Sequence, residues 1–275
     1  MTTSLPSIAI VGAGSMGGAI LQGLLNPSVT VTGGIRVTNR SEAKAAAVRS
    51  AGVESFALEN VPDGNAQAVR GAKVVMLGVK PHMIPDTLSD LAPFLEPDAI
   101  IISVAAGVTT TRMEAIVDNV VLRAMPNTPA IVGKAVTGLS AGSRATDDDL
   151  AIGRAVFETV GTVMEIPESQ IDALSTISGS GPAYVFFILE EFTRTAVDLG
   201  FTPEQALMLV TGTFDGSLAL LAASDSSPEQ LRKQVTSPKG TTERAVEQLQ
   251  AADLKSIFDR ATGAALARAQ ELAAG

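Results

Sequence analysis

Short uninterrupted apolar runs, spaced by polar stretches of helical pattern, set the plan of the first half of the chain. Ile8–Val11 enters Gly12-Ala13-Gly14-Ser15-Met16-Gly17, and Ile20, Leu21, Leu24 and Leu25 then follow at helical spacing. This predicts a buried strand, a tight turn and a helix. Further strands are predicted over 35–39, 53–57, 73–79, 99–104 and 120–125, with a polar helix over 65–71. The runs at 73–79, 99–104 and 120–125 do not alternate, which marks strands covered on both faces. Strands alternating with helices specify an α/β fold with a parallel, doubly wound sheet. Ligands of such sheets sit at the carboxyl ends of the strands. The strand ends here are Lys80-Pro81-His82, Ala105-Ala106-Gly107 and Pro126-Asn127-Thr128-Pro129. A last strand pair, 135–140 and 161–166, brackets a helix opened by Asp147-Asp148-Asp149, acids suited to a helix N-terminus.

From Glu168 onward the strand pattern stops. Helices are predicted over 171–177, from Pro182 to Leu199, from Pro203 to Ala223, from Pro228 to Gln234 and over 253–274. The chain therefore reads as two domains, 1–166 and 167–275, the second all-helical. Its apolar stripes, Phe186/Leu189 and Leu207/Val210/Phe214/Leu218, suit a core or a subunit interface rather than a lipid surface.

Composition narrows the chemistry. With 275 residues, 46% of them apolar and 18% charged, the chain is long and apolar enough to bury a core in each domain. A net charge of −9 argues against a nucleic-acid partner, which needs clustered Lys and Arg. There is no cysteine, which excludes thiol nucleophiles and disulfides, and the single histidine, His82, makes a His-based metal site or a Ser-His-Asp triad hard to build. No metal is expected. The N-terminal residues lack a signal-peptide pattern, and the run 99–108 is too short to span a bilayer, so a soluble cytoplasmic protein with no membrane partner is expected.

The chemistry collects at two stretches. Gly12 permits the sharp turn, Gly14 lets backbone approach a pyrophosphate, and Gly17 lets helix pack on strand. The helix start adds free N–H groups and the positive end of its dipole. The strand ending at Asn39 carries no carboxylate at its tip, where one would bind the ribose of NAD. Instead it runs into Arg40 and Ser41, suited to a 2′-phosphate. In the bland alternative, Arg40 is solvated and Ser41 caps the next helix. The second stretch is Thr236-Ser237-Pro238-Lys239-Gly240-Thr241-Thr242-Glu243. Its hydroxyls, glycine and helix start suit either a small carboxylate or an over-supplied cap. Tyr184 and Lys80 are conceivable acids. Core packing suits Tyr184 better, backbone positioning suits Lys80 better, and His82 is expected to be solvated.

Taken together, Gly12-x-Gly14-x-Met16-Gly17, Gly78-Val79-Lys80-Pro81, Ser103–Gly107, Met125–Pro129, Ser178–Tyr184 and Thr236-Ser237-Pro238 with Gly240-Thr241-Thr242 resemble the pyrroline-5-carboxylate reductases, over nearly the whole chain. The resemblance implies a Rossmann-type domain, followed by an all-helical domain that intertwines with a second subunit into a homodimer or an assembly of dimers. It implies reduction of the cyclic imine 1-pyrroline-5-carboxylate, a small-molecule substrate, to L-proline by NADPH, with NADH a poorer donor. Carried over by position, Val11, Gly12, Ala13, Gly14, Ser15 and Met16 line the pyrophosphate turn. Asn39, Arg40 and Ser41 occupy the 2′-phosphate region, and Asn65 the adenine ribose. Gly78, Val79, Lys80, Pro81, Val104, Ala105 and Ala106 wall the nicotinamide end. Ser237, Gly240, Thr241 and Thr242 resemble the loop that holds the substrate carboxylate, with Thr242 near the ring nitrogen as the candidate catalytic residue. Glu168 and Gln234 resemble positions close to cofactor and substrate. One departure is Lys239, where the family pattern often has glycine.

Overall fold

The computed structural model describes residues 3–50 and 52–274. The first half runs β1 (Thr3–Leu5), β2 (Ile8–Val11), α1 (Ser15–Leu24), β3 (Val29–Val31), β4 (Ile35–Asn39), α2 (Glu42–Val48), β5 (Val53–Ala57), α3 (Gly64–Val69) and β6 (Val74–Leu77). It continues through α4 (Ile84–Leu91), β7 (Ile100–Ser103), α5 (Thr110–Glu114), β8 (Val120–Met125), β9 (Ala135–Ala141), α6 (Asp147–Glu158) and β10 (Gly161–Glu165). Eight strands form one sheet in the order β10-β9-β8-β7-β6-β2-β4-β5. The chain starts in the middle at β2 and builds outward through β4 and β5. It then returns to the other side of β2 with β6. That reversal opens a crevice at the carboxyl ends of β2 and β6, where sheets of this kind bind ligands.

Side-chain alternation divides the core between the two faces of the sheet. Ile8, Ile10, Met76, Ile100 and Ile102 pack with Ile20, Leu24 and Phe157 on one face. Ala9, Val11, Val75, Leu77 and Ile101 pack with Ile84, Leu88 and Leu91 on the other. Every residue of β2, β6 and β7 is buried, as the unbroken apolar runs require.

The doubly wound sheet is parallel as expected except for one antiparallel step near its edge. β8 and β9 are antiparallel, and β10 lies parallel to β9, so the last two strands run against the other six. The reason is connection length. Parallel neighbours need a crossover of about a dozen residues or more. Residues 126–134, with only a 3₁₀ turn at Thr128–Val132, are too few, whereas α6 supplies a full crossover between β9 and β10. The small parallel pair β1–β3 was not legible in the pattern, because each strand is only three residues long.

After β10 come α7 (Ile171–Leu174) and a π-helical turn, Ser175–Gly179, where a single helix was expected. Then follow α8 (Gly181–Asp198), α9 (Pro203–Ala222), α10 (Pro228–Gln234), α11 (Thr241–Ala251) and α12 (Leu254–Ala274). Pro203 and Pro228 open their helices as expected. Each stands behind a capping box, Thr202 with Gln205 and Ser227 with Gln230.

Backbone packing divides the chain into a first unit that runs to Pro182 and takes in the chain from Ala265, and a second, Ala183–Ala264. The division falls after the last strand because 168–178 is tied to the sheet. Arg123 on β8 holds Asp172, and Asn127 donates to the carbonyl of Ser178 (2.9 Å). The second unit has a small core of Ala196, Ala206 and Val210, with Leu189 and Phe214 against it. Of the predicted stripe residues, Phe186, Leu207 and Leu218 are exposed. α9 is long and apolar enough, by length and composition alone, to cross a membrane.

Candidate active site

Close backbone packing builds the crevice. Gly12 has φ +83°, and a Cβ there would come within 2.8 Å of Val79 Cγ1 and 3.2 Å of the Val79 backbone N. A Cβ on Gly78 would come within 2.5 Å of the Gly12 carbonyl, and one on Gly17 within 3.2 Å of both that carbonyl and Ile10. The three glycines thus let two strand ends and α1 meet at van der Waals distance. Gly14 differs, since nothing lies within 4 Å of its Cβ position. It is the N-cap of α1 and no side chain caps the helix, so the first N–H groups face open space. The turn is anchored from β4, where the Thr38 hydroxyl accepts from Gly12 N (3.1 Å) and the Thr38 carbonyl accepts from Ala13 N (3.0 Å).

From this turn a groove of 570 Å³ runs across the strand ends. Of the cofactor residues expected from sequence, it brings together Gly12, Gly14, Ser15, Met16, Asn39, Arg40, Asn65, Gly78, Val79, Lys80, Pro81, Val104, Ala105 and Ala106. Val11, Ala13 and Ser41 are not among its lining. Val11 and Ala13 are buried in the core, and Ser41 is the N-cap of α2, although its hydroxyl makes no capping bond. The groove adds residues that sequence reading passed over: Thr38, Lys44, Leu58, Met83 and Thr87. Lys44 had a signal. It is a second cation four residues after Arg40, in the first turn of α2.

Two features of this groove bear on its ligand. Among the described residues, Asn39 Nδ2 and Asn65 Oδ1, a donor and an acceptor, are buried without a hydrogen-bond partner, and both residues line the groove. All charged lining residues are cations, Arg40, Lys44 and Lys80, in a chain of net charge −9. The nearest acid in sequence, Glu42, is not in the lining. Its carboxylate accepts from Arg49 (3.0 Å) and Asn60 (3.2 Å), and the Arg49 hydrogen bond holds its pKa below the usual value. A phosphorylated dinucleotide suits the groove, with its pyrophosphate at the α1 terminus. A wider depression of 620 Å³ lies at the opposite, amino ends of β4 and β5.

The hydroxyl-rich loop lies in the second unit. Gly240, not a threonine, is the N-cap of α11, and no side chain makes a capping bond. Among the described residues, the hydroxyls of Ser237, Thr241 and Thr242 have no protein partner. Ser237, Thr241 and Thr242 are exposed, as Gln234 is at the end of α10. A cap would commit at least one of these hydroxyls, so the arrangement favours an external acceptor. Gly240 N donates to the Ser237 carbonyl (3.0 Å), which closes a turn with Lys239 at φ +61°. The turn explains why glycine suits position 239. Lys239 N donates to the Glu243 carboxylate (2.8 Å), and its side chain is exposed. Lys239→Gly is expected to relieve left-handed strain of about 1 kcal/mol and so raise the Tm, as scanning calorimetry would register.

Glu168, expected near cofactor and substrate, is not in the groove lining. It accepts from Thr110 N and Thr110 Oγ1, both at 2.7 Å, and from Arg123. Tyr184 is half-buried rather than a core residue, and His82 is exposed as expected.

Comparison with known proteins joins these features. Residues 168–272 match the family described as pyrroline-5-carboxylate reductase dimerisation, and residues 7–107 match that described as NADP oxidoreductase, coenzyme F420-dependent. The pyrroline-5-carboxylate reductase of Corynebacterium melassecola is 35% identical, over 98% of this chain and 99% of its own. That of Pseudomonas aeruginosa is 36% identical, over 98% of each. The structure of the enzyme from Coxiella burnetii superposes with a TM-score of 0.88 at 37% identity, covering 96% of this chain and 97% of that one.

Proposed function

The chain belongs to the pyrroline-5-carboxylate reductase family, and on that premise we propose how its residues divide the work. The activity of the family is reduction of 1-pyrroline-5-carboxylate to proline with NAD(P)H. The match to a dimerisation domain supports assembly into an oligomer. We take that oligomer to be a homodimer, or dimers further assembled, with the exposed apolar residues of α8 and α9 at the contact. Residues 1–166 bind the cofactor, and 167–275 bind substrate and the partner subunit. The cysteine-free chain suits the reducing cytoplasm.

In the first domain, the turn Gly12–Met16 and the α1 N-terminus hold the pyrophosphate. Asn39 and Asn65 satisfy ribose hydroxyls, and Arg40 with Lys44 holds a 2′-phosphate. Lys80, Pro81, Ala105 and Ala106 wall the nicotinamide end. When bound, NADPH supplies the hydride that reduces C5 of the imine. In the second domain, Ser237, Gly240 and Thr241 offer hydroxyl and backbone N–H groups to the substrate carboxylate at the α11 N-terminus. The Thr242 hydroxyl hydrogen-bonds the ring nitrogen, orienting the ring and accompanying its proton. A protonated imine is already electrophilic. Orientation and charge placement are then most of what the protein must provide, which fits a chain without cysteine and with one exposed histidine.

The observation that carries the preference for NADPH is the all-cationic lining of the groove. Charge-assisted hydrogen bonds contribute about 1.5–3 kcal/mol each. Arg40→Ala with Lys44→Ala is therefore expected to lower kcat/KM for NADPH by more than about 100-fold and to leave NADH nearly unchanged. Steady-state kinetics with both cofactors checks this. An equal loss with both would remove the 2′-phosphate assignment.

A further inference from the structure

We propose that Glu168 is a positioning residue for the nicotinamide wall, acting through Thr110, an inference that rests on the reading of the groove as the cofactor site. The wall is the β7–α5 loop, from Ser103 to Thr110, and it carries Val104, Ala105 and Ala106 into the groove. Side chains fasten it at both ends. At the start, the buried Ser103 hydroxyl accepts from Ala105 N (3.2 Å). At the end, both oxygens of the Glu168 carboxylate are engaged by Thr110, one by its N–H and one by its hydroxyl, each at 2.7 Å. Thr110 is the first residue of α5, so the carboxylate holds the loop where it enters that helix.

Glu168 is held in turn from beneath. Arg123 lies directly opposite Ser103 in the sheet, and its side chain is only 3% exposed. A buried guanidinium must be paired, or it destabilises the fold by several kcal/mol. Its partners are Glu168 (3.4 Å) and Asp172 (2.7 Å). The two carboxylates differ in one respect that makes a test possible. Glu168 reaches the loop, whereas Asp172 touches only Arg123 among the side-chain contacts here. A role confined to balancing the buried Arg123 would make the two interchangeable. A role in holding the wall belongs to Glu168 alone.

The test compares Glu168→Ala, Asp172→Asn and Thr110→Val with wild type. NADPH affinity is read by titrating cofactor fluorescence in the absence of substrate, and amide hydrogen exchange is read across residues 104–110. Wild type must bind NADPH first; failure there would remove the reading of the groove rather than this proposal. Misplacing a binding wall costs of the order of 10-fold or more. Glu168→Ala is therefore expected to weaken NADPH binding about 10-fold and to speed exchange at 104–110. Asp172→Asn is expected to lower the Tm while NADPH affinity and exchange at 104–110 stay at wild-type values. Thr110→Val keeps one of the two bonds and is expected to fall between wild type and Glu168→Ala, which keeps the proposal testable if Glu168→Ala does not fold. Unchanged affinity and exchange in folded Glu168→Ala or Thr110→Val would overturn the proposal. So would an Asp172→Asn variant that loses affinity as much as Glu168→Ala.

Discussion

Gly12→Ala is expected to weaken NADPH binding by about 100-fold, the equivalent of about 2.7 kcal/mol. Two costs combine. At φ +83° an L-residue pays about 1–2 kcal/mol for the backbone conformation alone. In addition, the new Cβ would lie 2.8 Å from Val79 Cγ1 and 3.2 Å from Val79 N, and the latter is backbone that cannot rotate away. Relief requires the turn to move off the end of β6. That separates the pyrophosphate turn from the Gly78–Pro81 wall, the two sides of one groove. Calorimetric titration with NADPH checks the loss of affinity, and circular dichroism checks that the sheet persists. Gly14→Ala makes a useful contrast. Its Cβ meets no protein atom, so the fold should be indifferent to it and only the approach of the phosphates should suffer.

Thr242→Ala is expected to lower kcat by about 10-fold or more, the low end of what a positioned proton-handling group contributes. Thr242 stands in the first turn of α11, exposed, and its hydroxyl has no protein partner among the described residues. Alanine is favoured in a helix, so the substitution leaves the fold intact and removes only the hydroxyl. Thr242→Ser should restore most of the rate. Turnover at the wild-type value in Thr242→Ala would remove the residue from the mechanism and return it to the role of a helix-start threonine.

Local signals made much of this architecture legible. The buried strands announced themselves as unbroken apolar runs, and the turn after β2 as glycines whose separate roles the geometry bears out at Gly12 and Gly17. Prolines behind capping residues marked the starts of α9 and α10 to the residue. What escaped were features set by distant parts of the chain. The reversal at β9 follows from the shortness of 126–134, a length that periodicity does not weigh. The π-helical turn Ser175–Gly179 contains Ser178, whose carbonyl is taken by Asn127 from just beyond the end of β8. The Thr110–Glu168–Arg123 contacts join residues 45 and 58 positions apart, so Glu168 could be singled out only by resemblance, and its contacts could not be read at all. The share of Lys44 in the groove depends on where α2 leaves β4, which the local pattern does not give.

The most direct test mixes the purified protein with NADPH and 1-pyrroline-5-carboxylate, follows the loss of NADPH absorbance, and quantifies the amino acid formed. The expected result is rapid oxidation with one L-proline formed per NADPH consumed. Binding of NADPH without its consumption would contradict the assigned chemistry, leaving the groove as a dinucleotide site and the hydroxyl loop at 237–242 without its substrate.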